Sequence, residues 1–324
     1  MAYSNTWNAA NGFVGFGVES TAGTPVTPTA FAPTDGFSFS QNITYAARPT
    51  LLSVSGFNPT VQIKVASSGA GTFSGPATYD NFGLFWQGVL GAGSSSGAGP
   101  YTHTYTTDGA ALPSHTIEYS PTGDQAEEVT IAGAKFNSMT LTIPKDGIAK
   151  IEADFIAMSA TDYASGTART APTNERLIVG AQSTITIGGT DHSDAIDNLK
   201  LTINNALRAR TSIGSFTPRE IEHAHGRTGT LTITLQVEDT YYKTLVDDWL
   251  ASTKRAIIIT CTNASESLTA TLAVCYQTAE PAISITGPGP ITVTLTYDVK
   301  PDSTATQMAS VVVINDESSD VGNG

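Results

Sequence analysis

The sequence predicts a mainly β protein made of two tandem β-domains of the barrel or sandwich type, each with one flanking α-helix. Three observations lead to this fold class. Many short runs alternate apolar and polar residues, as half-buried strands do. Only two segments have the spacing of an amphipathic helix. Strands and helices also follow one another in the same order twice along the 324 residues, which indicates a tandem repeat of one unit.

The alternating runs begin after residues 1–35, a segment rich in Gly, Pro and Thr that is predicted to be irregular. Residues 36–45 place mostly apolar side chains on one face, as a pleated strand does. Asp146 and Gly147, and the Gly-Pro-Gly-Pro run at 287–290, supply turns, because glycine accepts positive φ and proline fixes φ. Further strands are predicted for TVQIKVA, YTHTYT, HTIEYS, FNSMTLTI, IAKIEADFIA, STITIG, LKLTIN, TGTLTITLQV, AIIITCT, LTATLAV, AISIT and ITVTLTYDV.

Two helices are predicted, from Tyr79 to Leu90 and from Thr240 to Leu250. Each has apolar residues at i, i+3, i+4, i+7 and i+8, the stripe by which a surface helix packs on a core. All five apolar positions of the first helix recur in the second at an offset of 160 residues (242 − 82 = 160). The residues predicted to pack the helices into the core are Phe82, Phe85, Trp86, Tyr242, Leu245 and Trp249.

The order around each helix supports the repeat. A strand precedes each helix, and two hairpins follow it. In the first unit YTHTYT is predicted to pair with HTIEYS, and in the second AIIITCT with LTATLAV. The second hairpins are MTLTIPKDGIAKIEADF and ISITGPGPITVTLTYDV. The predicted divisions are an irregular segment (1–35), a first domain (36–160), a linker (161–178), a second domain (179–300) and a tail (301–324), whose SVVVIN run either pairs with a neighbouring subunit or is disordered.

Composition narrows the function. The net charge is −13, with 16 basic and 29 acidic residues, which argues against a protein that gains affinity for DNA by neutralising phosphates. Only 14% of residues are charged, against about 25% in typical soluble domains. Cys261 and Cys275 are predicted to stay reduced, because a turn at 263–266 sets Cys261 opposite a residue near Leu268. No Cys/His set has metal-ligand spacing, and no cofactor is expected.

Assembly is the function that these sheets favour. One helix cannot cover all the strands of a unit, so strand edges stay exposed, and few charges guard them. Such edges favour pairing with sister subunits in a closed ring. The N-terminus lacks the basic start and apolar run of a signal peptide. No apolar stretch reaches the ~20 residues of a membrane helix, so we expect no membrane anchor and synthesis in a cytosol.

Several segments together resemble the tail tube proteins, or major tail proteins, of long-tailed, siphovirus-like bacteriophages. Their order along most of residues 13–300 carries the resemblance, more than any one of them. Ala22 departs from the family, which often has an aromatic residue at that position before the glycine. The matching segments are GVESTAGTPVTPT (17–29), FGLFWQGVLG (82–91), YTHTY (101–105), LPSHTIE (112–118), GAKFNSMTLT (133–142), LTINN (201–205) and TLTITL (230–235).

The resemblance implies a structural virion protein, not an enzyme. Members of the family form rings of six tube domains, whose inner strands join into one β-barrel lumen. The rings stack into a tube through which genomic DNA is ejected, and a long loop of each domain reaches the adjacent ring. Two such domains in one chain imply trimeric rings with pseudo-sixfold symmetry, and hexameric rings are the alternative. The implied partners are the chain itself, the tape measure protein, other tail proteins, and double-stranded DNA that passes without specific binding.

Two sets of residues are candidates for roles in the tube. Carboxylates facing the lumen would repel passing DNA, although alternation does not say which face lies inside. Residues 200–227 are predicted to include a long basic loop that docks on the next ring, with residues 46–57 as its counterpart, and a solvated loop is the alternative. The lumen candidates are Glu118, Glu152, Asp154 and Glu238, and the loop candidates are Arg208, Arg210, Arg219, His223, His225 and Arg227.

Three other functions stay open. Glu222, His223 and His225 suggest acid–base or metal chemistry, but their spacing matches no recognised zinc pattern, and an exposed loop explains them. A β-sandwich adhesin that binds carbohydrate would expose aromatic residues, whereas Phe85 and Trp86 have core spacing. A minor protein at the tail tip or in tail completion would share the tube fold and differ in copy number.

Overall fold

The computed structural model describes residues 12–47, 62–80, 82–91, 93–107, 111–121, 128–164, 176–237, 241–283, 288–304 and 307–317. It confirms a mainly β chain with two α-helices. The helices are α1 (Phe82–Leu90) and α2 (Tyr241–Leu250). The strands are β1 (Phe13–Val18), β2 (Ala30–Ala32), β3 (Gly36–Ala47), β4 (Gln62–Pro76), β5 (Ser94–Ser96), β6 (Tyr101–Thr106), β7 (His115–Ser120), β8 (Glu128–Pro144), β9 (Lys150–Ala157), β10 (Ser159–Ala164), β11 (Ser183–Ile187), β12 (Thr190–Asp191), β13 (Ile196–Asn204), β14 (Leu207–Arg210), β15 (Glu220–His223), β16 (Thr228–Gln236), β17 (Arg255–Asn263), β18 (Glu266–Gln277), β19 (Thr292–Lys300) and β20 (Ser310–Asn315).

One pattern of antiparallel pairing occurs twice. In the first half of the chain, β1 to β10, the pairs are β1–β2, β1–β7, β7–β8, β8–β10, β8–β9, β9–β4 and β4–β3. In the second half, β11 to β20, they are β11–β12, β11–β17, β17–β18, β18–β20, β18–β19, β19–β16 and β16–β13. Each strand of the first list has its equivalent at the same place in the second, and each helix precedes the equivalent strand β7 or β17.

The two halves form one open sheet. β8 pairs with β13 through seven residues of each strand, Leu141 facing Leu201, and β6 pairs with β20. The pairings join 18 strands, and among the described residues they close neither half into a barrel. The small pair β14–β15 stands apart as its own sheet. For each half the sequence left a barrel or a sandwich open. The pairings of the described residues show no closed barrel and leave free edges, and the sandwich stays a prediction.

The predicted hairpin of YTHTYT with HTIEYS is wrong. β6 pairs with β5 and β20, whereas β7 lies between β1 and β8. Alternation of apolar and polar residues identifies a strand but not the strand with which it pairs. β7 has partners on both edges and is buried along nearly its whole length. The predicted hairpin of β8 with β9 forms around Asp146 and Gly147. In the second closing hairpin, residues 282 and 283 are not strand, and residues 284–287 lie outside the described part.

Both ends of the chain contain more strand than predicted. β1 and β2 form within residues 1–35, because Gly15 and Gly17 let residues 26–31 approach closely. An added Cβ at Gly15 would lie 2.8 Å from the Phe31 ring, and one at Gly17 2.9 Å from Val26. In the predicted tail, SVVVIN is β20 and pairs within the chain, between β18 and β6. The predicted linker overlaps β10 at its start, and residues 165–175 lie outside the described part.

One hydrophobic core runs through both halves. Phe85, Trp86 and Leu245 are buried in it, and Tyr242 packs against it from the side. Trp249 is only half-buried, and the side chain of Phe82 lies outside the described part. Cys261 faces Leu268 as predicted, and both cysteines are free. Within the described ranges no helix is both long and apolar enough to cross a membrane.

Candidate assembly surface

Eight strands make a continuous wall with one exposed face. Their order is β3, β4, β9, β8, β13, β16, β19 and β18. Because antiparallel partners point to the same side, one row of paired residues stays on one face. Every member of the row is partly or fully exposed, and the neighbouring row, from Phe73 to Cys275, is buried. The exposed row is Gly36, Ser74, Glu152, Thr140, Thr202, Thr230, Asp298 and Tyr276.

The exposed face is rich in hydroxyl groups. Ser38 and Thr72 hydrogen-bond across strands at 2.7 Å, Thr140 and Thr202 at 3.0 Å, and Thr234 and Thr294 at 3.4 Å. These bonds join hydroxyl side chains of neighbouring strands to one another across the exposed face. Asp197 of β13 reaches this face as well, where its Oδ1 accepts a hydrogen bond from Gln236 Nε2 at 3.2 Å and pairs with Lys145. The charged residues that β9, β13 and β19 bring to the face are Lys150, Glu152, Asp154, Asp197, Lys200, Asp298 and Lys300.

The candidate lumen carboxylates do not lie together. Glu152 and Asp154 are exposed on the polar face of β9, and Asp154 accepts a hydrogen bond from Ser138 at 2.7 Å. Glu118 lies on β7, outside the eight-strand wall, and is 7% exposed. Glu238 lies outside the described residues. On β9, β13 and β19 this face carries three ammonium groups and four carboxylates, one of which is paired with Lys145. That the candidate carboxylates line a lumen stays a prediction.

The wall ends in two free edges. In the described part of the chain, β3 pairs only with β4, so the backbone groups of its other edge have no strand partner. At the far end, β18 pairs with β19 up to Gln277, and Thr278 donates its backbone N–H to Thr296 O at 2.9 Å. The chain bends at Ala279, and residues 280–283 are not strand. Exposed edges of this kind are templates for pairing with another chain.

The inner junction between β8 and β13 shows how such an edge is satisfied. Beyond the seven pairs, Asn205 is fully buried, and its Nδ2 donates to Val89 O and Phe136 O, both at 3.1 Å. Arg227 Nε donates to Asn205 Oδ1 at 2.6 Å, and its Nη1 to Leu90 O at 3.3 Å. The last carbonyls of α1, which have no partner within the helix, are thus bound by the second half.

The candidate basic loop is a hairpin, not an irregular loop, and it lies on the first half of its own chain. Lys135 Nζ donates to Ile221 O at 3.1 Å, and Ser67 N donates to Phe216 O at 2.7 Å. Leu207 and Ile221 form a small cluster with Leu112, Ile156 and Met158. The hairpin therefore spans β8, β9 and β4 of the first half.

Several basic residues of the hairpin already have acidic or carbonyl partners within the chain. Arg208 binds Glu222 through Nε at 3.1 Å and Nη2 at 2.8 Å, and these bonds lower the pKa of the Glu222 carboxyl. Arg210 binds Glu220 at 2.7 Å. His223 Nδ1 lies 2.7 Å from Asn205 O.

The exposed side chains of the hairpin include Arg219, His225 and two apolar residues at its tip. Ile213 is 107% exposed and Phe216 60%. The hairpin's docking within the chain does not follow from the basic residues that identify this segment in the sequence. The alternation in EIEH (β15), with the apolar Ile221 between two glutamates, is the sequence feature that indicates a strand with one buried face.

A family model described as phage tail tube protein matches residues 9–299 of this chain. No curated protein matches the chain closely enough to count as a relative. The matched range includes both helices and every strand described above except β20 and the last residue of β19. Self-assembly into a tube within the virion tail, together with other tail proteins, is what the family implies. The chain therefore belongs to the phage tail tube proteins and is a structural β-protein of the virion tail.

Proposed function

We propose that this chain builds the main tube of the tail, as rings of three chains that stack into a conduit for genomic DNA. The observation that carries the proposal is the pairing pattern that occurs twice and is joined through β8 and β13. Each half supplies four strands to the wall, so three chains would supply six tube domains and 24 strands (3 × 8 = 24). The inner junction serves as the template for the contact between chains.

The pairings give a register for that contact. Ser38 on β3 pairs with a residue four positions before the end of β4 (76 − 72 = 4). Lys200 on β13 pairs with a residue four positions before the end of β16 (236 − 232 = 4). Because β3–β4 and β13–β16 are equivalent pairs that lead into the two helices, Ser38 and Lys200 occupy equivalent positions.

The other edge follows in the same way. Thr142 pairs with Lys150, which faces the last residue of β4. Thr292 faces the last residue of β16. Extending β18 beyond Gln277 in its register with β19 sets Ala282 opposite Thr292 (277 + 297 = 282 + 292). Ala282 is therefore the equivalent of Thr142. Since Thr142 pairs with Lys200 inside the chain, Ser38 of one chain would pair with Ala282 of the next.

Cross-linking tests this register. Ser38→Cys combined with Ala282→Cys, oxidised in assembled tubes, is expected to give a covalent ladder that ends at three chains on a denaturing gel. Thr142→Cys combined with Lys200→Cys is the matched control, which closes within one chain and leaves the monomer mass unchanged. The buried Cys261 and Cys275 stay reduced in both.

Two results would contradict the proposal. A ladder that extends to six chains would favour hexameric rings of full-length chains. Absence of cross-links between chains, when the control pair closes normally, would exclude pairing of these edges. Counting copies per virion separates the main tube protein from a minor protein at the tail tip, because only the main protein is needed in proportion to tail length.

The polar face of the wall would line the lumen. DNA binds proteins mainly through phosphate contacts with Lys and Arg, each of which adds affinity. Hydroxyl groups that are bonded to one another offer little net attraction, and β9, β13 and β19 add four carboxylates against three ammonium groups. The fourth carboxylate, Asp197, is paired with Lys145. A neutral, hydroxylated wall would let the duplex slide, which refines the acidic lumen expected from composition.

Stacking of rings is proposed to use the exposed tip of the β14–β15 hairpin. Its apolar residues Ile213 and Phe216 lack cover in the isolated chain, and burying them against the next ring would be favourable. Ile213→Ser with Phe216→Ser is expected to give closed rings that do not stack in electron micrographs. Tubes of normal length from this variant would rule out the tip as the stacking contact.

A further inference from the structure

Both halves interrupt the wall at the same place. Asn42 pairs with Ser68 where β3 and β4 leave the wall, and Asn204 pairs with Thr228 where β13 and β16 do. Asn42 and Asn204 are separated by the same number of residues as the equivalent pair Ser38 and Lys200 (204 − 42 = 200 − 38). Ser68 and Thr228 are separated by the same number as the last residues of β4 and β16 (228 − 68 = 236 − 76). The second-half insert is residues 205–227. Its equivalent, termed the arm, projects from the first half and is described for residues 43–47 and 62–67.

The second-half insert lies across the neighbouring half to which its strand β13 is paired. Its base contacts the C-terminal end of α1, through Asn205 and Arg227, and its hairpin continues over β8, β9 and β4. At that contact Leu90, the last residue of α1, is fully buried. Pairing of the wall and overlap of the insert thus occur together at the inner junction.

Among the described residues of the arm, Ser67 at its base is buried and donates its N–H to Phe216 O at 2.7 Å, whereas residues 43–46 and 62, 63 and 65 are exposed. The arm carries four of the large apolar side chains that the described residues expose, at 37% for Ile43, 54% for Tyr45, 52% for Ile63 and 43% for Val65. Ile43 and Tyr45, two residues apart on β3, share one face of this hairpin, whereas Ile63 pairs with Ala46 and faces the other side. Exposed apolar side chains concentrated on one hairpin are typical of an interaction surface. Ile43 occupies the position of Asn205 (205 − 43 = 162), the residue that contacts the end of α1.

A complementary surface lies on the second half. α2 ends at Leu250 as α1 ends at Leu90, and the two are equivalent at the 160-residue offset. Leu250 is 68% exposed, whereas Leu90 has no exposed surface. Asn205 meets the end of α1 within the chain. The residues equivalent to these two partners are Ile43 and Leu250, which are both apolar. They lie at opposite ends of the wall of one chain.

We infer that the arm of each chain lies across the end of α2 of the neighbouring copy in the same ring and covers Leu250. The arm is a lateral clasp between chains, distinct from the contact between stacked rings. The inference rests on the proposed trimeric ring, because the arm reaches α2 only where β3 pairs with residues 278–283 of the next copy.

Dissociation of rings on dilution tests the clasp. Ile43→Ser with Tyr45→Ser, and separately Leu250→Ser, are each expected to raise the dissociation constant at least about tenfold, because each removes apolar surface from the contact. Combining the two changes is expected to add little, since they remove the same contact. Ile148→Ser is the matched control, an exposed isoleucine away from both surfaces that should leave dissociation unchanged.

A photoreactive residue at Tyr45 gives a second measurement on otherwise unchanged protein. Irradiated rings are expected to yield cross-links to the peptide that contains Leu250 in a different chain. Cross-links to a neighbouring ring, or arm variants that form normal rings and fail only to stack, would overturn the clasp. If the disulfide between Ser38→Cys and Ala282→Cys still forms in those variants, the trimeric ring is supported and the clasp is contradicted. If that pair never closes, the ring proposal itself is wrong.

Discussion

Single buried polar residues anchor the first half. Glu19 is 7% exposed, and its carboxylate accepts three hydrogen bonds. The donors are Gly23 N at 2.8 Å, Thr116 Oγ1 at 3.0 Å and Gly133 N at 2.8 Å. These bonds fix the segment GVESTAGTP, the start of the motif that resembles the family, against β7 and β8. A conspicuous sequence motif here has a structural role in folding the N-terminal segment.

Glu19→Ala is expected to destabilise the monomer by on the order of 3 kcal/mol, because three buried donors lose their acceptor. Denaturant unfolding measures the change. Glu152→Ala, at an exposed glutamate, is the control and should change the free energy of unfolding by less than about 0.5 kcal/mol. Equal losses of unfolding free energy in the two variants would show that the hydrogen bonds of Glu19 do not contribute measurably to stability.

His115 is the second such residue. It has no exposed surface, and its ring lies 5.2 Å from that of Phe136. Burial disfavours the imidazolium ion and lowers the pKa of His115 to about 4. Below the ordinary pKa of 6.5, the unfolded chain therefore takes up a proton that the folded chain refuses. Stability contributed by neutral His115 is complete above pH 6.5 and is lost as the pH falls toward 4.

His115→Phe is expected to remove that loss, while keeping a buried ring. The difference in unfolding free energy between wild type and variant should change by roughly 3 kcal/mol between pH 7 and pH 4. Comparing the two proteins cancels other titrating groups, such as Glu266, whose pKa burial raises to about 7. A difference that stays constant across this range would contradict the assignment.

At the scale of elements, α1 lies unusually close to β8. Gly88 makes this possible, since an added Cβ would lie 2.1 Å from the Phe136 ring. Gly88→Ala is expected to cost about 1–3 kcal/mol by overpacking, despite the better helix propensity of alanine. Gly226→Ala is the control, because nothing lies within 4 Å of its added Cβ. Thermal unfolding of both variants measures the contrast, and a neutral Gly88→Ala would contradict the close packing.

The junction of β8 with β13 depends on Asn205 as well as on strand pairing. Asn205→Ala leaves the carbonyls of Val89 and Phe136 without this donor and removes one acceptor of Arg227, and it is expected to cost about 1–3 kcal/mol. Asn198→Ala, at a half-buried position on the polar face of β13, is the control. Hydrogen exchange of β13 amides should report faster opening in the first variant only. Equal exchange in both would assign the junction to the strand pairs alone.

At the scale of the whole molecule, the wall sets how the tube meets DNA. Glu152→Lys with Asp154→Lys would make the polar face of β9 strongly basic. Ejection of DNA is then expected to slow, most of all at low salt, where phosphate contacts are strongest. Asp194→Lys with Asp247→Lys is the control, since both residues are exposed on the side of α2. Equal ejection rates from the two assembled tubes would contradict a lumen on the polar face.

Much of the local structure was predictable. The two helices, the alternation of β3, β13, β16 and β19, and the Asp146-Gly147 turn follow from side-chain periodicity and turn chemistry. The repeat was predictable as an order of elements. Its alignment was not, because β5 and β6 are extra strands in the first half, and β17 is the equivalent of β7.

What the sequence by itself determined is which segments are strands or helices, which faces of them are apolar, and the family to which their order belongs. These are local properties, set by the 2-residue and 3.6-residue periods of the backbone. Only the tertiary structure decided the partners: β8 with β13, β20 with β18, the hairpin over the first half, and the two edges and the arm left uncovered. Pairing is non-local, and many alternating strands of similar length fit one another equally well, so the choice among them is made by the packing of the whole chain.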